Sequence, residues 1–250
     1  EGIAVIYGNI FLPDKKDLPI TGRDGRFLKF NSAYVYQNMN LIGISNKNLM
    51  PNYRIFDDSR YFLSNVEKQM ARGLPIKDAL EPFSIEVGNK TYKMGVDLCE
   101  GLWIRDYYYN NVNLNPTKYY IENGADFIVN ISASPCTYGK NKARDNAVKF
   151  LCQDCKEKFV PFFYVNCCGT QNTGKNIVTF DGGSTIYNEK GEIFDYIEEP
   201  YQERLIIADL DEVKGSKSIQ RNESNKIQEK YQAIVEGLLH MKDIIGFQNP

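Results

Sequence analysis

Two runs of alternating apolar and polar residues constrain the fold of this chain most strongly. Residues 83–87 and 92–98 both alternate with a period of two, and Gly88 and Asn89 lie between them. Such a pair predicts a β-hairpin in which one face of each strand is buried. The second run ends at Cys99, so the hairpin would present a thiol where a strand meets a turn.

Helices and further strands follow in the rest of the chain. Asn115 and Pro116 predict the start of a short helix that ends near Gly124, and residues 141–159 carry an apolar stripe typical of a longer helix. Strands are predicted at residues 3–8, as a pair within 30–44, and at 127–131, 162–166, 177–180, 184–187 and 205–209. This pattern predicts an α/β sandwich of mixed sheets, because a strict βαβ repeat would lack hairpins.

The last part of the chain has a different pattern. Residues 211–225 are charged and polar, which predicts a linker, and residues 227–245 carry an apolar stripe that predicts a helix ended by Gly246. We therefore divide the chain into residues 1–210 and residues 211–250. The last helix would belong to a second domain or to a partner-binding arm.

Composition excludes several classes of function. A formal net charge of -2 gives no electrostatic case for a nucleic-acid or membrane partner. No apolar run approaches the roughly 20 residues of a transmembrane helix, and no secretory signal opens the chain. The six cysteines have no disulfide-framework spacing, so we expect reduced thiols and a cytoplasmic location. The chain opens without Met on an apolar run, so truncation or processing is expected.

Cys99 has two interpretations when it is considered without relatives. A cysteine at a strand end is commonly a small buried hydrophobic residue, and it can also be a nucleophile presented at the edge of a sheet. His240 is the only histidine and lies in the predicted last helix, so a nucleophilic Cys99 would need a carboxylate or a lysine as its partner. Cys152 and Cys155 lack two further zinc ligands, so no metal site is predicted.

Four segments, spaced from residue 43 to residue 184, favour the nucleophile. Residues 47–62 resemble the lysine-bearing segment of the nitrilase superfamily, and the residues around Cys99 resemble its nucleophile motif, a Cys-Glu-Asp-x-Trp-like sequence. Residues 123–135 with the following Gly-Lys pair, and residues 166–184, resemble two further signatures. More narrowly, the four together are similar to the glutaminase domain of glutamine-dependent NAD⁺ synthetases.

This resemblance implies a fold and a catalytic chemistry. It implies a nitrilase-like α-β-β-α sandwich, incomplete at its N-terminus, with a C-terminal linker helix. Residues 1–210 would be the glutaminase domain, and residues 211–250 would be a linker and the first helix of a synthetase domain. In the family's Glu-Lys-Cys triad, Cys99 would form a thioester with glutamine and release ammonia, and Lys47 would stabilise the oxyanion. The triad's glutamate would precede the region that matches Glu1, and no glutamate here carries its motif.

The resemblance also implies binding residues and partners. Tyr53, Trp103, Ser134 and Lys140 match positions that hold the glutamine, and Glu100 matches a supporting position. Gly101 departs from the family motif, which usually has Asp there. The glutaminase part would need no cofactor, whereas the synthetase domain would use ATP, Mg²⁺ and deamido-NAD⁺. A homo-oligomer is expected on the same ground.

Two alternatives stay open. The chain could be another nitrilase-superfamily amidase that acts on a different amide or nitrile. It could also be a catalytically impaired fragment with a structural or assembly role, since the triad glutamate is absent and Gly101 is unusual.

Overall fold

The computed structural model describes residues 2–13, 21, 25–27, 29–109, 112–174, 176–215, 217–222 and 225–246. The chain divides into two compact units. The first comprises Glu1–Ile131 and Leu151–Val160, and the second comprises Ser132–Phe150 and Pro161–Pro250. Residues 10–30 are polar with Pro and Gly and therefore predict a loop, and residues 14–20, 22–24 and 28 of this range lie outside the described residues.

The first unit opens with an antiparallel three-stranded sheet. Its strands are β1 (Ala4–Phe11), β2 (Phe30–Gln37) and β3 (Asn40–Asn46), in the order β1-β2-β3. Asn38 and Met39 form the β2–β3 turn, and both have positive φ, as a tight hairpin with right-handed strand twist requires. The predicted early strand and the predicted pair are therefore confirmed.

The hairpin that leads to Cys99 lies in the same unit. After α1 (Asp58–Tyr61) and α2 (Asn65–Ala71), β4 (Phe83–Val87) pairs antiparallel with β5 (Lys90–Leu98), as the alternation predicts. The short strands β6 (Tyr108–Tyr109) and β7 (Val112–Asn113) form a second pair.

Helix α3 (Pro116–Glu122) leads to a strand that pairs with β5 on the edge opposite β4. Helix α3 begins where predicted, because the Asn115 side chain accepts a hydrogen bond from the Lys118 N–H at 3.0 Å. Strand β8 (Phe127–Ser132) then runs parallel to β5, with Leu98 opposite Ile131. Side chains of β2, β4 and β5 pack together in a hydrophobic core cluster. Its buried members are Ala33, Val35, Ile85, Met94, Val96 and Leu98.

The second unit is also mixed α/β. Helix α4 (Lys140–Cys155) begins in it, and the strands β9 (Phe162–Asn166), β10 (Cys168–Asn172), β11 (Ile177–Asp181), β12 (Thr185–Tyr187) and β13 (Ile193–Tyr196) follow. Strand β12 pairs antiparallel with β9 and β13, and β10 pairs antiparallel with β11. Helices α5 (Leu210–Val213) and α6 (Lys226–Ile245) complete the unit. The predicted α/β class is confirmed.

One predicted strand is wrong and four strands were missed. Residues 205–209 form no strand, and Leu205 and Ile207 are 82% and 85% exposed. An apolar run forms a strand only where a neighbouring backbone can pair with it, and none pairs here among the described residues. Strands β6 and β7 were missed because each is only two residues long, and β10 and β13 because their sequences are mostly polar or follow a turn directly.

The segment before α6, which the sequence predicts to be a linker, makes specific contacts within the second unit. The Arg221 guanidinium binds the Asp145 carboxylate with two hydrogen bonds of 2.9 Å, and the Ile219 N–H donates to the Ile193 carbonyl at 2.8 Å. The proposed boundary at residue 210 stays a prediction.

Helix α6 ends at Gly246 in a left-handed cap, as predicted. Its predicted apolar stripe is exposed, with side-chain exposures between 40% and 79% for Ile227, Tyr231, Ile234, Leu238, Met241 and Ile245. Over the part of the chain that the structure describes, no helix has the length and apolar character needed to cross a membrane.

Candidate active site

Cys99 lies at the end of β5, where the sequence predicts a nucleophile. It is partly buried and begins the 3₁₀ turn Cys99–Leu102. Its φ is 39°, in the left-handed region that side-chain-bearing residues rarely adopt. Such a conformation costs about 1–3 kcal/mol and persists where the surroundings over-determine it, which is common at active sites. We refer to residues 97–103 as the Cys99 turn.

Lys47 lies directly after β3 and is only 4% exposed. Its backbone is fixed on both sides, because its N–H donates to the Asn31 carbonyl at 2.8 Å and its carbonyl accepts from the Asn65 N–H at 3.0 Å. Its ammonium group forms an ion pair of 2.7 Å with the Asp58 carboxylate. Lys47 is therefore a buried, fixed cation rather than a solvated surface lysine. We refer to residues 47–58 as the Lys47 loop.

Glu100 is buried and accepts hydrogen bonds from two tyrosine hydroxyl groups. The Tyr107 hydroxyl donates to it at 2.7 Å, and the Tyr53 hydroxyl lies 3.2 Å from both of its carboxylate oxygens. Burial raises the pKa of Tyr53 well above its ordinary value, and the negative charge of Glu100 and the Cys99 thiol add smaller effects in the same direction. Tyr53 thus joins the Lys47 loop to the Cys99 turn as a neutral donor.

Asp97 makes a second connection between the two segments. Its Oδ1 accepts the Leu98 N–H at 2.9 Å and the Asn48 side-chain amide at 3.3 Å. Burial raises the pKa of this carboxyl to about 6, against the opposing effects of these hydrogen bonds and of Lys47. Asn48, which follows Lys47 in the chain, is therefore hydrogen-bonded to Asp97, which lies two residues before Cys99.

The raised pKa of Asp97 gives a prediction about stability. Because the pKa rises from 3.8 to about 6 on folding, the native state holds this proton more tightly than the unfolded chain does. The stability associated with the protonated carboxyl is present below about pH 4 and is lost as the pH rises through about 6. Asp97→Asn should therefore gain up to about 3 kcal/mol relative to the parent between about pH 4 and about pH 7.5.

Urea denaturation of both proteins across that pH range measures the difference. The exposed Asp78→Asn variant controls for the loss of one negative charge. A difference between parent and Asp97→Asn that stays constant with pH would contradict the prediction.

The remaining predicted residues are divided between the two units. Trp103 closes the Cys99 turn, where its N–H donates to the Glu100 carbonyl at 2.8 Å. In the second unit, buried Ser134 exchanges backbone hydrogen bonds with the Asn166 side chain at 2.8 and 3.1 Å. Lys140 is the first residue of α4, and its N–H donates to the Thr137 carbonyl at 2.9 Å. The proposed glutamine contacts of Tyr53, Trp103, Ser134 and Lys140 stay predictions.

Sequence reasoning missed the residues that connect the site. Asp58, Asp97 and Tyr107 were given no role, although Asp58 lies inside the segment that resembles the lysine-bearing motif. Asp57 and Asp58 are adjacent acidic residues in a polar stretch, so the sequence does not indicate which one meets Lys47. Asp97 occupies a polar position of the alternating run, so the pattern predicted an exposed side chain, whereas the structure buries it. Within the described ranges, no group of three or more His, Cys, Asp or Glu could hold a metal ion.

Sequence comparison finds relatives of one kind. The chain is 30% identical over 242 residues to a glutamine-dependent NAD⁺ synthetase of Synechocystis sp., and the match covers 94% of this chain and 38% of that protein. It is 30% identical over 182 residues to the glutamine-dependent NAD⁺ synthetase of Thermotoga maritima, covering 73% of this chain and 26% of the relative. No family model matches the chain.

Structural comparison gives related results. The structure of a glutamine-dependent NAD⁺ synthetase from Acinetobacter baumannii, in complex with ADP, matches with a TM-score of 0.67 and 26% identity over 98% of this chain and 39% of that one. A carbon-nitrogen hydrolase from Helicobacter pylori matches with a TM-score of 0.55, covering 80% of this chain and 60% of that one. At 17% identity, this second likeness concerns the fold alone. The chain spans 38% and 26% of the length of the two curated relatives.

Proposed function

Since this chain belongs to the nitrilase superfamily of carbon-nitrogen hydrolases, we propose that it is a glutamine amidohydrolase, the ammonia-producing part of a glutamine-dependent NAD⁺ synthetase. One observation carries the proposal above the others. Lys47, a buried cation held at 2.7 Å by Asp58, belongs to a loop that is hydrogen-bonded to the turn of a conformationally strained cysteine. A buried lysine and a thiol at a strand end are two of the three groups that a nitrilase-type amide hydrolysis requires.

The proposed reaction begins with the Cys99 thiol. Its sulfur attacks the side-chain amide carbon of glutamine, and the S–C bond forms as the carbonyl oxygen becomes an oxyanion. The C–N bond then breaks, a proton passes to the nitrogen, and ammonia leaves. A thioester remains on Cys99, and water hydrolyses it to glutamate and the free thiol.

Lys47 is proposed to stabilise the oxyanion. Its position is fixed before substrate binds, by two backbone hydrogen bonds and by the Asp58 ion pair. A preorganised donor of this kind lowers the barrier because little reorganisation is needed when the charge develops. Glu100 is proposed to support the Cys99 turn through its hydrogen bonds with Tyr53 and Tyr107. It is not proposed to take part in the chemical step.

The proton of the thiol needs a base. The family's triad supplies a glutamate, and no glutamate of these 250 residues carries its motif. We propose that the full protein supplies this base. Asp58 holds Lys47 in place through their ion pair, and it is not proposed as the base.

The whole protein's activity is a further part of the proposal. Ammonia from glutamine would be consumed by a synthetase domain that acts on deamido-NAD⁺ with ATP and Mg²⁺. These 250 residues contain no Ser-Gly-Gly-x-Asp-Ser loop, so ATP and Mg²⁺ are assigned to that domain. The exposed apolar stripe of α6 supports packing against further protein. A cytoplasmic homo-oligomer is proposed from the resemblance.

A substrate panel tests the proposed function against its alternatives. The protein, as its gene encodes it in full, is incubated separately with glutamine, asparagine and a simple aliphatic amide, and ammonia release is measured. We expect glutamine to be preferred over the aliphatic amide by at least about 10²-fold in kcat/KM, because a site built for its charged groups rejects amides that lack them. Asparagine carries the same charged groups and is one methylene shorter, so the preference over it should be about 10- to 200-fold. Preference for the aliphatic amide would favour a different amidase, and no hydrolysis of any amide would favour a structural role.

A further inference from the structure

We propose that Asp97 is a positioning residue for Cys99 and Lys47, and that Gly101 exists to give its carboxyl group room. This inference rests on the proposed function, because it assigns Asp97 a role in the same reaction. The role proposed for Asp97 is indirect. Asp97 acts by fixing where the Cys99 turn lies relative to the Lys47 loop.

The first observation is the space around Gly101. A Cβ atom at residue 101 would lie 1.7 Å from Asp97 Oδ2 and 2.3 Å from its carboxyl carbon. The φ of Gly101 is not in the left-handed region, so its backbone conformation is open to any residue. Glycine is therefore required at 101 for space and not for conformation. Any side chain there must displace the Asp97 carboxyl group.

The second observation is what the displaced carboxyl would lose. Oδ1 accepts hydrogen bonds from the Leu98 N–H and from the Asn48 side-chain amide. Leu98 directly precedes Cys99, and Asn48 directly follows Lys47. Asn48 is itself buried and fixed, because its carbonyl accepts the Ser64 hydroxyl at 2.6 Å and its side-chain oxygen accepts the Asn65 amide at 3.3 Å. One carboxylate oxygen therefore joins a rigid Lys47 loop to the residue before the nucleophile.

The third observation is the other carboxylate oxygen. Oδ2 is buried and has no hydrogen-bond partner among the residues that the structure describes. Leaving a buried charged oxygen unpaired costs free energy and is uncommon in native proteins. The Asp97 carboxyl group compensates for this cost through Oδ1, which joins the Cys99 turn to the Lys47 loop. We infer that the carboxyl group serves the function of the site rather than its stability.

Four variants of the full-length protein test the inference. Gly101→Ala adds only the Cβ atom, and Asp97→Ala removes only the carboxyl. The double variant does both, and Asp97→Asn keeps an oxygen in the Oδ1 position. Gly8→Ala is the matched glycine control, since its added Cβ would find an ordinary contact of 3.8 Å in the same unit.

Two readouts are measured beside the melting temperature. The first is kcat and KM for glutamine, and the second is the rate at which iodoacetamide alkylates Cys99, followed by peptide mass spectrometry with Cys136 as the internal reference. We expect Gly101→Ala and Asp97→Ala each to lower kcat about 10- to 100-fold, the usual effect of misplacing reacting groups by about 1 Å, with KM changed much less. Both should also change the Cys99 alkylation rate and leave that of Cys136 unchanged.

The double variant tests directly whether the effect of Gly101→Ala depends on the Asp97 carboxyl group. Once the carboxyl is gone, the added methyl has nothing to displace, so the double variant should match Asp97→Ala rather than multiply the two losses. It should also fold if Gly101→Ala alone does not. Asp97→Asn should recover most of the activity that Asp97→Ala loses.

The outcomes separate this inference from the proposed function. Parent-like kcat and alkylation in Gly101→Ala, multiplied losses in the double variant, or an Asp97→Ala change confined to the melting temperature would each overturn the positioning role. A parent that releases no glutamate overturns the proposed function, while the alkylation arm still decides whether Asp97 positions Cys99.

Discussion

Replacing Cys99 with alanine should lower glutamine hydrolysis by the full-length protein by at least about 10⁴-fold, as expected when a covalent nucleophile is removed. The proposed mechanism assigns the thioester to Cys99 alone, so the residual rate should not change when the remaining thiols are alkylated. Glutamate release measured at saturating glutamine gives the result directly.

The loss should not arise from unfolding. Alanine faces the same backbone strain at φ 39° as cysteine does, and the neighbouring strand pairing of β5 is untouched. Cys136→Ala is the matched control, because Cys136 is a partly buried thiol whose pKa is raised by burial and which has no place in the proposed reaction. Equal activity in Cys99→Ala and Cys136→Ala would remove Cys99 from the mechanism.

Replacing Lys47 with alanine should have the next largest effect. The loss of one preorganised oxyanion donor typically lowers kcat about 10²- to 10³-fold. The same change leaves the Asp58 carboxylate without its ion-pair partner in a mostly buried place, so we also expect a loss of about 3 kcal/mol of stability. Steady-state kinetics and urea denaturation measure the two effects separately.

The kinetic effect must be distinguished from the loss of stability. Assays are therefore run at a temperature where denaturation curves show the variant to be folded, and Lys47→Met, which keeps the apolar stem, should show the same kinetic loss. Lys90→Ala, at an exposed position in β5 of the same unit, is the matched control and should behave like the parent. A kcat in Lys47→Ala within a few-fold of the parent would contradict the oxyanion role.

Local patterns predicted the elements that present the nucleophile. The alternation on either side of Gly88 and Asn89 predicted β4 and β5, and the Asn115 cap predicted the start of α3. These predictions succeeded because hairpin pairing, capping and the burial of one strand face are decided by residues close together in the chain. The location of Cys99 at the end of β5 followed from them.

The contacts that join the site were not predictable in the same way. The Asn48–Asp97 and Tyr53–Glu100 contacts arise from how a loop packs on a distant turn, and the Lys47–Asp58 ion pair arises from how that loop folds on itself. Sequence periodicity carries no information about such pairings. The false strand at residues 205–209 has a related cause, because an apolar run does not reveal whether a partner strand is available. The steric relation between Gly101 and Asp97 likewise required coordinates.

The identity of the cysteine that attacks glutamine tests the central claim most directly. The full-length protein is treated with a diazo-ketone analogue of glutamine, which alkylates the thiol that attacks it, and the labelled peptide is identified by mass spectrometry. The proposed mechanism predicts one adduct, on Cys99, that excess glutamine suppresses. An adduct on Cys136 or Cys168 instead, or labelling of Cys99 that glutamine does not suppress, would contradict it.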